Sequence, residues 1–473
     1  MRKTKIICTL GPATDQPGVL KQVAEAGMDV ARFNFSHGSY EEHGKRFEAL
    51  CKIREEVGRP IAALLDTKGP EIRLRDFANG KEYLSKGQTF TLTTREIEGT
   101  KDIVSISYKG LPKDVEVGSR ILIDDGLIEM HVEEKNETDI VCRVLNEGPV
   151  SNKKGVNVPD TRLSMPYLSE KDKEDIIFAC KTGYDFIAAS FVRSADDVFE
   201  VRKVLSENNG NAIRIISKIE NKEGVDNIDE IIEASDGIMI ARGDMGVEIP
   251  GEEVPVIQKM IIKKMYKAGK QVITATQMLD SMMKNPRPTR AEISDVANAI
   301  YDGTGAIMLS GETAAGKYPV ESVTMMARIA ERTEQDIDYK KRFSIMESAP
   351  HATVREAISH ATVMTAHDLN SEAIVSITMS GSTARRVSKY RPASPILGCS
   401  INEQVLRQLN LTWGVIPVKI EKKDDTFKLF DHALEKAEEA GHLKEGDIAV
   451  ITAGIPLGVE GSTNMIKVQK VGE

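Results

Sequence analysis

Lys218 and Glu220 stand two residues apart in Lys218-Ile219-Glu220-Asn221, and Asp244 follows in Ala241-Arg242-Gly243-Asp244-Met245-Gly246. Each string follows a short apolar run. Two carboxylates brought to neighbouring strand ends suit a hard divalent ion. Magnesium takes one or two carboxylates and fills its other positions with water and substrate oxygens. Side chains two apart on a strand share a face, so Lys218 would stand beside that ion as a clamp on phosphoryl or enolate charge. A structural ion pair between Lys218 and Glu220 is the other reading of the same spacing.

Further strings of this kind follow other apolar runs: Arg32-Phe33-Asn34-Phe35-Ser36-His37-Gly38, Asp66-Thr67-Lys68-Gly69-Pro70-Glu71-Ile72-Arg73, Thr274-Ala275-Thr276-Gln277 and Ser310-Gly311-Glu312-Thr313. On one rim they would gather Arg32, Arg73, Lys218 and Arg242 with Asp66, Glu220 and Asp244. Charged strand ends are often merely solvated, but that reading weakens when both signs recur around a single rim. Asn34, Ser36, Asp66 and Thr67 offer oxygens suited to a weakly hydrated monovalent cation, although hydroxyls and amides are common at strand ends.

The elements that must position these residues are legible as eight apolar runs, at 4–9, 29–34, 61–66, 185–190, 213–219, 237–242, 271–276 and 305–310. Ile61-Ala62-Ala63-Leu64-Leu65 and Gly237-Ile238-Met239-Ile240 are near-continuously apolar, the texture of parallel strands buried on both faces. Helical segments lie between them. One is expected from a cap at Asp15 to Gly27, another after the capping box Ser169-Glu170-Lys171-Asp172. Eight strand–helix units in series predict a (β/α)8 TIM barrel rather than an open doubly wound sheet, with function at the carboxyl ends of the strands. Residues 1–69 and 167–340 form this barrel. No ordinary loop is as long as 70–166. That insert alternates Phe90 and Leu92 with threonines and carries Asp125-Gly126 as a hairpin signal. It is expected as a small β-barrel domain acting as a lid.

From 341 to 473 the pattern restarts as a doubly wound α/β domain, with strands at 373–378, 395–399, 413–418, 447–452 and 464–470. Thr378-Met379-Ser380-Gly381-Ser382-Thr383 follows the first of these and opens a helix bearing Arg385, Arg386 and Lys389. Hydroxyls and amides at a helix start can bind an anion; a helix cap with a solvated basic face is the alternative. Neither GxxxxGK[ST] nor GxGxxG after a first strand occurs.

Composition sets the outer limits. At roughly 150 residues per domain, 473 residues make about three domains. A net charge of -9 argues against nucleic acid or an anionic membrane as partner. Five cysteines without CxxC spacing fit neither a disulfide framework nor a zinc knuckle. With no signal peptide or run long enough for a membrane span, the cytoplasm is the expected compartment.

Arg32–Gly38, Leu65–Arg73, Ile216–Asn221, Ala241–Gly246, Thr274–Met278, Asn285–Glu292 and Met308–Ala314 together resemble the pyruvate kinases, in the bacterial form without an amino-terminal extension or an extra carboxyl-terminal domain. The resemblance covers essentially 1–473. It implies a barrel A domain, an inserted β-rich B domain and a C-terminal α/β domain, in a cytoplasmic homotetramer. The implied reaction is phosphoenolpyruvate plus ADP giving pyruvate plus ATP, the last step of glycolysis. By that resemblance Arg32 meets the substrate phosphate, and Lys218 stabilises the phosphoryl group in flight and the enolate. Glu220 and Asp244 hold Mg2+ or Mn2+, while the Gly243 backbone and Thr276 lie near the substrate carboxylate. Thr276 also belongs to the proton relay. Asn34, Ser36, Asp66 and Thr67 match potassium ligands, and Glu71 the position where glutamate accompanies potassium dependence. His37, Arg73 and Lys154 match nucleotide contacts, to which Asn34 is added.

The loop of Thr378, Ser380, Gly381, Ser382 and Thr383 matches one that takes a phosphorylated small-molecule effector. Its facing segment, Gly454-Ile455-Pro456-Leu457-Gly458, has no arginine, which leaves fructose bisphosphate, AMP and a sugar monophosphate open. Two other readings compete: a barrel lyase acting on phosphoenolpyruvate or pyruvate, and a non-catalytic metabolite-binding regulator. The insert and Lys154 argue against the lyase, which has no ADP to enclose. Intact Lys218, Glu220, Asp244 and Thr276 argue against the regulator.

Overall fold

The computed structural model describes residues 2–346, 353–456 and 462–473. Eight parallel strands close into a barrel: Lys5–Thr9, Val30–Asn34, Ala62–Asp66, Phe186–Ala189, Arg214–Ile219, Gly237–Ala241, Gln271–Ala275 and Ala306–Leu309. The first pairs with the last, Lys5 opposite Ala306 and Cys8 opposite Leu309. All eight apolar runs are therefore barrel strands. Their continuity has a packing reason. Ile7, Val30, Leu64, Phe186, Ile216 and Met239 fill the interior, while their neighbours Ile6, Ala31, Leu65, Ile187, Ile215 and Ile240 join the layer beneath the helices. Leu411, from beyond the barrel, is buried with the interior set.

The helix expected from Asp15 starts later, at Val19, and ends at Gly27 as expected. Gly18 ahead of it is left-handed (φ 78°), and Asp15 instead pairs with Arg46 at 2.7 Å. The capping box at Ser169 is present, with Asp172 N donating to Ser169 Oγ and Ser169 N donating to the Asp172 carboxylate.

The insert forms a seven-stranded sheet and a two-stranded ribbon over a core that includes Phe90, Leu92, Ile121, Met130 and Cys142. The edges of the larger sheet meet through the Leu74–Ile106 bridge and the bond from Arg75 N to Ser105 O, so the sheet rolls up on itself. Its hairpin turns at Asp124 and Asp125, both left-handed (φ 56° and 54°), between Ile123 and Ile128.

The C-terminal sheet runs in the order Val415–Lys419, Ile396–Ser400, Ala373–Ile377, Ile448–Gly454, Thr463–Lys470, with only the last strand antiparallel. It is joined to the barrel floor by Gly414 N to Lys3 O (2.9 Å) and by the ion pair of Arg407 with buried Asp185 (2.9 Å). Among the described residues no helix is long and apolar enough to cross a membrane.

Candidate active site

The second, third and fifth strands end in one buried charge network. Arg32 Nε donates to Asp66 Oδ2 at 2.6 Å and its Nη1 to Thr9 Oγ1 at 3.0 Å. Lys218 Nζ lies 3.1 Å from Asp66 Oδ1 and 3.0 Å from Glu220 Oε1. Arg32, Asp66, Lys218 and Glu220 are all buried. Burial alone would raise the Asp66 carboxyl, yet Arg32 and Lys218 hold it below its ordinary value. Burial opposes the charge on Lys218 as well, but Asp66 and Glu220 outweigh it and raise its pKa.

Glu220 is placed differently. Burial pushes its carboxyl up to about 7 against the pull of Lys218, and the charge of Asp244 adds to the rise. Its Oε2 accepts from Phe191 N at 2.5 Å. Its Oε1 is buried with no hydrogen bond, because the nearby ammonium is close enough for an ion pair but out of line for a directed bond. A buried carboxylate oxygen with an ion pair but no directed hydrogen bond, beside a second carboxylate, has coordination left over that a divalent cation can use, so the residues present fit Mg2+ or Mn2+. Among the described residues no group of three His, Cys, Asp or Glu side chains is placed to hold a metal ion by itself. The donor set is therefore this carboxylate pair, and substrate and water oxygens would complete it.

Thr276 follows the seventh strand at φ 71°, and Gln277 at φ 53°. A β-branched residue there is strained, and such strain gathers at functional sites. Gly243 N donates to Thr276 Oγ1 at 2.7 Å, and that hydroxyl donates to Ala275 O at 2.6 Å. Arg242 does not add charge to the rim. Its guanidinium is bound by Asp295 at 2.8 Å and by Thr276 O at 2.8 Å, so it braces the turn that carries Thr276.

Asn34, Ser36, Asp66 and Thr67 lie at the ends of paired strands, Asn34 opposite Asp66. Ser36 N donates to Asn34 Oδ1 at 3.1 Å, and Thr67 Oγ1 receives Ser190 N at 3.2 Å. The donors these four offer a cation are oxygens, the hard set that potassium takes.

Between insert and barrel runs a cleft of about 950 Å³, whose lining includes Arg73, Asp124, Asp125, Lys154, Asp244 and Glu248. Both expected nucleotide cations in it already hold carboxylates: Arg73 binds Glu71 at 2.7 Å, and Lys154 binds Asp124 at 2.8 Å. His37 is exposed and lies outside this lining. The insert reaches the barrel through Asn157 Nδ2 and Glu248 Oε1 at 2.8 Å.

A second cavity, about 330 Å³, lies in the C-terminal domain and is lined by Thr378, Ser380, Ser382 and Thr383 of the expected effector loop. Gly381 caps the following helix at φ 79°. Lys422 and Lys423 line the same cavity. They supply the charge that the Gly454–Gly458 segment lacks; Leu457 and Gly458 lie outside the described residues. Thr383 Oγ1 is 2.7 Å from Thr463 Oγ1. Arg385 is turned beneath the loop, donating to Ser380 O at 2.8 Å.

Sequence reading missed Ser190, Phe191, Asp125 and the two lysines. Ser190 and Phe191 were within reach, since Ala188-Ala189-Ser190-Phe191 ends a strand like the others. Asp125 was seen only as a turn residue. In the fold it faces Asp244, and burial together with that charge raises its carboxyl.

Comparison with known proteins agrees with this geometry. The family model for the pyruvate kinase barrel domain matches residues 1–323, and that for the pyruvate kinase alpha/beta domain matches 356–469. The chain is 52% identical over 472 residues to a pyruvate kinase of Clostridium acetobutylicum, with all of both chains covered. It is 52% identical over 474 residues to one of Geobacillus stearothermophilus, covering 100% of this chain and 81% of that one. A crystal structure of a pyruvate kinase from Cryptosporidium parvum superposes with a TM-score of 0.95 at 42% identity, over 99% of this chain and 96% of the other. Matched over most of its length in sequence and in fold, the chain belongs to the pyruvate kinase family.

Proposed function

We propose that the rim and cleft transfer the phosphoryl group of phosphoenolpyruvate to ADP, giving pyruvate and ATP. The observation that carries this reading is the buried Oε1 of Glu220, unbonded beside Lys218 and Asp244. It is a carboxylate pair with room for a divalent cation, next to an ammonium able to neutralise the charge of a migrating phosphoryl group. In the transfer the bond from the enol oxygen to phosphorus breaks, and a bond from a β-phosphate oxygen of ADP to phosphorus forms. Arg32 and Lys218 neutralise the equatorial oxygens in flight, where positioning and charge do most of the work. Lys218 then holds the enolate oxygen while the methylene carbon takes a proton by way of Thr276. Gly243 N and the Thr276 hydroxyl position the substrate carboxylate. When bound, the divalent ion at Glu220 and Asp244 supplies Lewis-acid charge neutralisation. Potassium at Asn34, Ser36, Asp66 and Thr67 adds a fixed positive charge, with Glu71 as its marker.

His37, Arg73, Lys154 and Asn34 take the nucleotide, and the insert closes over it to exclude water. The division into 1–69 with 167–340, 70–166 and 341–473 follows this assignment of active site, lid and regulatory domain. Thr378, Ser380, Gly381, Ser382 and Thr383, with Lys422 and Lys423, bind a phosphorylated effector. The enzyme works in the cytoplasm as a homotetramer at the end of glycolysis.

The test is pyruvate formation from phosphoenolpyruvate with Mg2+, with and without ADP, in potassium and in potassium-free buffer. ADP-dependent, potassium-stimulated turnover is expected. ADP-dependent turnover indifferent to potassium removes the monovalent site, and pyruvate without ADP dependence from folded protein removes the kinase reading.

A further inference from the structure

Ser190 and Phe191, at the end of the fourth strand, touch both halves of the catalytic network. Ser190 is buried, and each of its polar atoms is engaged. Its amide donates to Thr67 Oγ1 at 3.2 Å, and its carbonyl accepts the Tyr167 hydroxyl at 3.0 Å. Its own hydroxyl lies 2.7 Å from Thr67 O and 3.2 Å from Asp66 Oδ1, so the serine proton goes to the carbonyl. That leaves Oγ to accept from Lys218 Nζ at 2.7 Å, the shortest contact that ammonium makes. There is no slack behind it. Gly69 (φ 72°) approaches so closely that a Cβ there would stand 2.8 Å from Ser190 Cβ. The next residue, Phe191, holds φ 54° and aims its amide at Glu220 Oε2.

An ammonium has three N–H donors. Directed bonds to Asp66 Oδ1 and Ser190 Oγ use two of them, and Glu220 Oε1 is out of line for the third. We propose that Ser190 is a positioning residue that sets the rotation of the Lys218 ammonium, so that its third N–H faces the migrating phosphoryl group. Phe191 locks the neighbouring Glu220 in register with it. Without the serine hydroxyl, Nζ settles between the carboxylates of Asp66 and Glu220 and competes there with the divalent ion. This rests on the role given to Lys218 above.

The test compares wild type, Ser190→Ala and Lys218→Met in two reactions. One is ADP-dependent pyruvate formation; the other is exchange of the pyruvate methyl protons with D2O in the presence of Mg2+ and K+. In Ser190→Ala, kcat for phosphoryl transfer is expected to fall about 30-fold, with KM for phosphoenolpyruvate within about threefold of wild type; methyl exchange, which needs Lys218 only at the enolate oxygen, is expected to fall by a smaller factor, less than about tenfold. The Mg2+ concentration for half-maximal rate is expected to rise about threefold or more. Retained methyl exchange also reports an intact, folded site. Phosphoryl transfer within about threefold of wild type overturns the proposal, as does an equal fall in both reactions, which marks a general loss of structure. If Lys218→Met is inactive while Ser190→Ala is normal, only the serine role falls. If Lys218→Met turns over normally, the reading of Lys218 falls first.

Discussion

The amide of Gly243 donates to the hydroxyl of Thr276 across 2.7 Å, at a residue held at φ 71°. The sixth and seventh strand ends are thereby locked together by the one hydroxyl assigned to proton delivery. Arg242, one residue before Gly243, closes the same loop from below through Thr276 O.

Valine has the branching of threonine, so Thr276→Val keeps the backbone strain and removes only the hydroxyl. We expect kcat to fall about 100-fold, with methyl-proton exchange on pyruvate falling in parallel, the usual scale of a lost proton-transfer group. Thr276→Ser keeps the hydroxyl and should retain most turnover. Steady-state rates of the two variants side by side check this, and equal rates would take Thr276 out of the relay.

Lys218→Met leaves Asp66 with Arg32 but strips Glu220 of the cation paired with it. Phosphoryl transfer should fall at least about 1000-fold, the scale of a lost charge-stabilising donor. Removing one partner from a buried network also costs about 3–5 kcal/mol. Thermal unfolding of the metal-free variant should therefore begin earlier than in wild type, and added Mg2+ should recover part of the loss. Unchanged unfolding would show that Lys218 does not stabilise the paired carboxylates.

The barrel was legible because parallel strands buried on both faces must be apolar at every position, as Ala62–Asp66 and Gly237–Ala241 are before their polar ends. The rim was legible because charge directly after such a run has one place to go. Arg242 misled because the partner that turns it away, Asp295, is 53 residues distant and invisible to local spacing. Ser190 was passed over because a hydroxyl carries no charge signal, and nothing in the sequence marks Phe191 for φ 54°. The start of the helix after Asp15 failed for a local reason, since Gly18 in the left-handed region breaks the segment.

At the floor of the barrel, buried Lys5 donates to Val415 O at 2.6 Å. Burial, against the pull of Asp29, lowers its pKa from 10.5 to about 8. Between those two values the unfolded chain still binds a proton that the folded chain has released. Stability therefore rises with pH across that window, by up to about 1.4 kcal/mol per pH unit, and this contribution is flat below it. Chemical denaturation of wild type and Lys5→Met from pH 7 to 10 isolates the effect from other titrating groups. The wild type should gain on the variant as pH rises, and a constant difference would mean that Lys5 stays charged when folded.

Gly381 holds φ 79°, and a Cβ added there would lie 2.5 Å from Arg385 Nη1 and 3.2 Å from Leu409 Cδ2. Arg385 is fixed below by Ser380 O and cannot easily withdraw. Gly381→Ala thus carries both the left-handed penalty of about 1–2 kcal/mol and a steric one, at the loop that presents Ser380, Ser382 and Thr383 to the C-terminal cavity. Initial rates at low phosphoenolpyruvate, with fructose 1,6-bisphosphate, AMP and glucose 6-phosphate in turn, read the consequence. Whichever compound activates the wild type should need about tenfold more for the same effect on the variant, since a displaced helix start loses its amide contacts to phosphate. The rate at saturating substrate should stay at the wild-type value, because the barrel rim is untouched. Activation of Gly381→Ala at wild-type concentrations, or a wild type indifferent to all three compounds, would remove this cavity as their site.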